Sequence, residues 1–142
     1  AYLRIGRREP RLSNSMRERL ALNVMYLIGL AFRNGDRTET VSSLASQMKM
    51  PSVTLTPIID GLEADKLLMT TENEDLVPGR ELSRMKLGDI LAVVRAHGET
   101  GSYREPKWEK VIDRLGDQLD ATIASAVGDQ TLADLLDKNA KK

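Results

Sequence analysis

A chain of 142 residues with 41% hydrophobic and 30% charged residues has room for one domain with a core of ordinary size. Its 21 Lys and Arg residues balance 21 Asp and Glu residues, and that neutrality counts against a partner recruited by overall positive charge, though a local patch remains open. The absence of cysteine excludes disulfides, cysteine-ligated metals, iron–sulfur clusters and thiol catalysis.

From Ala1 to Arg19, six arginines (Arg4, Arg7, Arg8, Arg11, Arg17 and Arg19) face only Glu9 and Glu18. Residues 1–12 read as a basic flank or linker: a solvated entry segment, a juxtamembrane flank, or an arm for phosphate. Ser13 or Ser15 can cap a helix that runs to about Arg33 and stops at Asn34-Gly35. Leu20, Val24, Leu27, Ile28 and Ala31 share one face, but Leu22, Met25, Tyr26, Leu30 and Phe32 cover much of the rest. Such a helix must be buried on several sides. Its apolar run, Ala21 to Phe32, is about a dozen residues long, against the ~20 that a membrane span needs.

A brief strand is expected at Glu39 to Val41, then a helix from Leu44 to Met48 capped by Ser42 or Ser43. Pro51 marks a tight turn. Pro57 lacks the N–H that a helix interior needs, which predicts a regular helix starting between Val53 and Thr56. Leu55, Ile58, Ile59 and Leu62 form its buried stripe. Leu67 to Thr71 reads as a strand, Glu72 to Asp75 as a turn, and Leu76 to Pro78 as the return strand. This is the grammar of a helix-turn-helix followed by a wing.

A helix with Leu87, Ile90, Leu91 and Val94 inward follows, and residues 97–107 have the composition of a loop. A long amphipathic helix is predicted from near Pro106 to Gly128, striped by Trp108, Val111, Ile112, Leu115, Leu119, Thr122, Ile123 and Ala126. Thr131 caps a last helix, with Asp134 completing a capping box and Leu132, Leu135 and Leu136 docking it. The segments KLGDIL and TLADLL echo each other as two similar helix starts. The predicted fold is mostly α, a winged helix-turn-helix with a small β-wing and extra C-terminal helices. Its expected parts are the flank 1–12, the winged-helix domain 13–96, the loop 97–107 and a helical extension 108–142.

Catalytic chemistry is sparse. His97 is the sole histidine, so neither a multi-histidine metal site nor an obvious triad can be assembled. Neither a GxGxxG nor a Walker loop is present. No catalytic, cofactor-binding or metal-binding residue, and no cofactor, is expected. For nucleic acid, the candidate contacts are Lys49, Ser52, Thr54 and Lys66, with Arg37 as a further cation. Against them, the second helix of the motif contains neither Lys nor Arg between Pro51 and Asp65. Asp60, Glu63, Asp65, Glu72, Glu74 and Asp75 place six carboxylates on the two elements that should meet phosphates. On charge alone, duplex binding is disfavoured.

The segments RLSNSMRERLALNVMYLIGLAF, TVSSLASQMKMPSVTLTPIIDGLEADKLL and LVPGRELSRMKLGDILAVVR together resemble the C-terminal cytoplasmic extension of YihY/BrkB-type inner-membrane proteins, historically labelled ribonuclease BN. The match spans roughly Pro10 to Arg95. It implies a non-catalytic interaction or regulatory domain on the cytoplasmic face of the bacterial inner membrane, attached through a preceding transmembrane region. The start without Met then reads as a cut from something longer. The same order also resembles winged-helix repressors that respond to iron–sulfur or nitric oxide status, with Met85-Lys-Leu-Gly-Asp-Ile90 opening a helix and Trp108 to Ala126 as the dimerisation helix. The cluster cysteines of those repressors are missing. The expected function is therefore the membrane-protein module; the alternatives are a dimeric DNA-binding regulator and part of a tRNA-processing ribonuclease. Under either of the first two, self-association is expected through Trp108, Val111, Ile112, Leu115, Leu119 and Ile123, giving a homodimer.

Overall fold

In the computed structural model, residues 12–96 and 107–140 are described. Arg4, Arg7, Arg8 and Arg11 of the basic flank, His97 with most of the 97–107 loop, Pro106 and the final two lysines lie outside the described residues. The first helix, α1 (Asn14–Asn34), begins where expected: the Ser13 hydroxyl accepts the Met16 N–H at 3.1 Å. It ends at Gly35, whose left-handed φ of 71° lets its N–H reach the Ala31 carbonyl at 2.9 Å. Leu20, Ala21, Val24, Met25, Ile28, Gly29 and Ala31 are all buried, so several sides of α1 are covered. This helix is the axis on which the other elements pack.

The second helix, α2 (Val41–Met48), starts three residues earlier than the sequence suggested. Thr40, not Ser42 or Ser43, is its cap: the Thr40 hydroxyl accepts the Ser43 N–H at 3.0 Å, and the Ser43 hydroxyl accepts the Thr40 N–H at 2.8 Å. The expected strand at 39–41 shrinks accordingly to a single bridge, Glu39 to Leu76. The third helix, α3 (Ser52–Ala64), also starts early, with Pro51 as its cap and Pro57 inside. Pro57 is close enough to the N-terminus to cost only the bond to the Val53 carbonyl, on an exposed turn. Leu55, Ile58, Ile59, Gly61 and Leu62 are its buried side.

The wing is the antiparallel pair β1 (Leu68–Thr70) and β2 (Leu76–Pro78), in register Leu68 with Pro78, Met69 with Val77 and Thr70 with Leu76. A single 3₁₀ turn, Leu82–Arg84, leads into α4 (Leu87–Ala96). Then come α5 (Lys110–Val127) and α6 (Leu132–Ala140).

Where the echoing segments KLGDIL and TLADLL lie, the chain pairs with itself. Lys86 and Thr131 form an antiparallel bridge, the Leu87 N–H reaches the Gln130 carbonyl at 2.9 Å, and the Leu132 N–H reaches the Met85 carbonyl at 2.8 Å. This clasp delivers α6 to α1, where Leu132 and Leu136 are buried. A Cβ on Gly29 would stand 3.2 and 3.3 Å from their methyl carbons, so a small residue in α1 is what lets α6 approach. Arg33 in α1 pairs with Asp137 in α6 at 2.7 Å. The Thr131–Asp134 capping box forms as expected, with bonds of 3.2 and 3.0 Å. Thr131→Ala is expected to lower unfolding free energy by about 1 kcal/mol in chemical denaturation, the usual worth of such a cap.

Candidate nucleic-acid interface

Because Leu55, Ile58, Ile59 and Leu62 of α3 turn inward, the 3.6-residue period sends Val53, Pro57, Asp60 and Ala64 outward along one ridge. All four are exposed, Val53 at 61%. Ser52 is exposed beside Val53, whereas Thr54 lies half-buried on the flank of the helix. The Thr56 hydroxyl donates to the Ser52 carbonyl at 2.8 Å, which uses its one donor hydrogen within the helix. Sequence reasoning singled out Ser52 and Thr54 for their polarity and missed Val53 and Pro57. Their i, i+4 spacing opposite the buried stripe was the signal available.

Both ends of α3 are marked by lysines in the left-handed conformation. Lys49 (φ 55°) terminates α2: its own N–H bonds the Ser46 carbonyl at 3.3 Å and the Met50 N–H bonds the Ala45 carbonyl at 3.0 Å. Lys66 (φ 62°) terminates α3 in the same pattern, with Lys66 N–H to Glu63 at 2.9 Å and Leu67 N–H to Leu62 at 2.9 Å. This paired bonding is the Schellman motif, whose left-handed position usually holds glycine. A residue with a Cβ there costs roughly 1–2 kcal/mol. Lysine instead sets a cation at each helix end, favourable to the C-terminal dipole, on a side chain open to solvent. The helix between them rises about 1.5 Å per residue, so the two cations bracket some 20 Å of surface.

The hinge between the helices and the wing is a buried carboxylate that the sequence did not flag. Glu39 is 1% exposed, and its Oε1 accepts the Ser43 hydroxyl at 2.6 Å and the Gln47 amide at 2.7 Å. Oε2 is sealed from solvent with no aligned hydrogen bond; its charge partner is the Arg37 guanidinium at 3.2 Å. The Glu39 carbonyl accepts the Leu76 N–H at 2.7 Å, and Thr38 donates to Asp75 at 2.9 Å. One residue thus ties α2 by its side chain and β2 by its backbone, fixing the angle between helix-turn-helix and wing. Arg37, read as a cation for nucleic acid, is committed to this tie.

None of the six carboxylates lies in the first half of α3. Asp60 and Glu63 fall in the second half of α3 and Asp65 just past its end, with Asp60 about 12 Å along the axis from Ser52. A recognition helix reads bases with its N-terminal residues, and that half of α3 carries no carboxylate and has the positive end of the helix dipole. Asp75 is engaged by Thr38. The acidic residues that remain exposed at the wing tip are Glu72 and Glu74. Six carboxylates on the motif are not six carboxylates at the phosphates.

The helix α5 buries none of its residues. Asp120, Ile123, Ala124 and Val127 face α4 across an open groove lined also by Gly88, Leu91, Ala92 and Arg95, with Arg95 and Asp120 paired at 2.5 Å. Val111, Ile112, Leu115 and Leu119 stay 50–67% exposed. Trp108 precedes the first turn, since α5 starts at Lys110 after Glu109 and not at Pro106. Ile123, grouped with the stripe in sequence, turns half-buried into the groove. Among the described residues, no cluster of three or more His, Asp or Glu able to hold a metal ion occurs.

No family model matches the sequence, and no curated protein matches it either. Solved structures do share its fold. IscR of T. potens superposes with a TM-score of 0.66 at 20% identity, covering 92% of this chain and 88% of that one. CymR of B. subtilis, described as the global cysteine regulator, gives 0.63 at 19% identity over 91% and 98%. The oxidized form of Staphylococcus aureus CymR gives 0.64 at 16% identity over 88% and 96%. These similarities overturn the assignment to YihY/BrkB membrane proteins, which rested on an order of helices and strands that any winged helix of this plan shares. The inner-membrane module, the membrane partner and the ribonuclease BN label fall with it; no described helix is long and apolar enough to cross a membrane. The chain is a winged helix-turn-helix, closed by a C-terminal helix pair, of the architecture seen in IscR and CymR.

Proposed function

We propose that this chain is a dimeric winged-helix transcription regulator that binds duplex DNA through α3. The observation that carries the reading is the exposed N-terminal half of α3, free of carboxylates and preceded by Lys49, with Lys66 past the far end of the helix. The shared architecture with regulators supports it. In this arrangement the first turn of α3 enters the major groove, Ser52 and the helix N-terminus meet a phosphate, and Lys49 and Lys66 neutralise phosphates on either side. The α5 stripe, left exposed among the described residues, pairs two copies so that two α3 helices address two half-sites.

The test is binding to a randomised 30-base-pair duplex pool, followed by fluorescence anisotropy between about 50 and 200 mM salt, the range over which phosphate contacts show. Affinity should fall steeply with salt. Lys49→Ala and Lys66→Ala should each flatten the log–log slope by roughly 0.9 per chain, close to two per dimer. No binding at the lowest salt removes this reading.

A further inference from the structure

Resting on that reading, we infer that α3 recognises thymine methyl groups, so that the 5-methyl of thymine, and not a base hydrogen-bonding edge, sets the preferred sequence. Bidentate reading of guanine uses Arg or Lys, and of adenine Asn or Gln. From Ser52 to Ala64 the helix SVTLTPIIDGLEA contains none of these four. What its outward ridge presents first is aliphatic: Val53, then Pro57 one turn later.

Apolar groups in the major groove have one natural counterpart, the methyl carbon of thymine. An apolar ridge against the amino and carbonyl edges of other bases would strip them of water without replacing a hydrogen bond, which disfavours those sequences. Val53 and Pro57 are about 6 Å apart along the helix, and bases on one strand are 3.4 Å apart along the duplex. The two residues therefore address thymines one or two steps apart. Asp60 comes next on the ridge but lies in the second half of the helix, beyond the two apolar positions. The expected half-site carries thymines one or two steps apart on one strand.

Deoxyuridine isolates the claim, because it differs from thymidine only by the missing methyl. The duplex enriched from the random pool is resynthesised with uracil for every thymine and its affinity compared at fixed salt. Each contacted methyl is expected to be worth about fourfold, the value of one buried methyl-sized group, so a two-half-site duplex should lose well over tenfold. Val53→Ala, at an exposed position where folding is not at stake, should shrink the thymine-to-uracil ratio. Lys49→Ala should weaken both duplexes equally and leave the ratio unchanged. Equal affinity for the two duplexes overturns the inference while leaving DNA binding intact. A ratio unaffected by Val53→Ala overturns the assignment to α3, and failure of the pool to bind at all overturns both this inference and the function beneath it.

Discussion

Gly79→Ala is expected to be the most damaging single-atom change in the domain, lowering unfolding free energy by about 3 kcal/mol. Gly79 follows β2 and donates its N–H to the Leu67 carbonyl at 2.9 Å. A Cβ there would lie 2.3 Å from the Lys66 carbonyl oxygen and 3.0 Å from the Lys66 carbonyl carbon. Those are backbone atoms, so no rotamer change relieves the overlap. The segment that must move is the left-handed Lys66 turn, which ends α3 and starts the wing. At roughly 2–4 °C per kcal/mol for a domain of this size, the melting temperature should drop by about 6–12 °C. Gly116→Ala is the control: nothing stands within 4 Å of its Cβ in α5, and helix propensity predicts a gain of up to about 1 kcal/mol. A melting temperature unchanged by Gly79→Ala would show that the Lys66 turn yields easily.

The second large effect is expected at the α5 stripe. Val111, Ile112, Leu115 and Leu119 are large apolar side chains left at least half exposed on one face, which is unusual for a lone domain and ordinary for half of an interface. Light scattering of the intact chain should give twice the monomer mass. Leu115→Asp introduces a charge that two-fold symmetry places in both copies, and a cost of about 3 kcal/mol would weaken association more than a hundredfold. Because α5 contributes no buried residue to the core, the variant should keep its helical circular dichroism while becoming monomeric. DNA affinity should fall with it, since two half-sites would no longer be bound together. A wild-type chain that stays monomeric at high concentration removes the dimer from the proposed function.

Local signals were legible wherever one residue type meets one backbone requirement. Of the two offered caps, Ser13 bounds α1, and Gly35 and the Thr131–Asp134 box mark their helix ends as expected. The apolar periodicity of α1, α3 and α4 found the core, and the wing strands fell at the expected residues. Errors came where several candidates competed locally. Thr40, Ser42 and Ser43 can all cap a helix, and Thr40 wins because Glu39 is pinned to Leu76, which sets the chain direction just before it. Trp108 and Ile123 looked like members of one stripe. The former precedes the helix, and the latter is drawn towards α4.

By itself the sequence determined the element types, the helix-turn-helix and wing, and the absence of cysteine chemistry, because propensity, capping and periodicity are properties of neighbouring residues. Tertiary structure decided what the charges mean. Counting six carboxylates on the motif argued against DNA, but only the folded ridge shows that three of them sit beyond the N-terminal half of α3 and that one bonds Thr38. It also revealed that Lys49 and Lys66 bracket that helix, that Arg37 serves Glu39, and that the echoing segments at 86 and 131 pair to bring α6 home. Electrostatics and long-range pairing depend on distances between residues far apart in the chain, and composition carries no record of those distances.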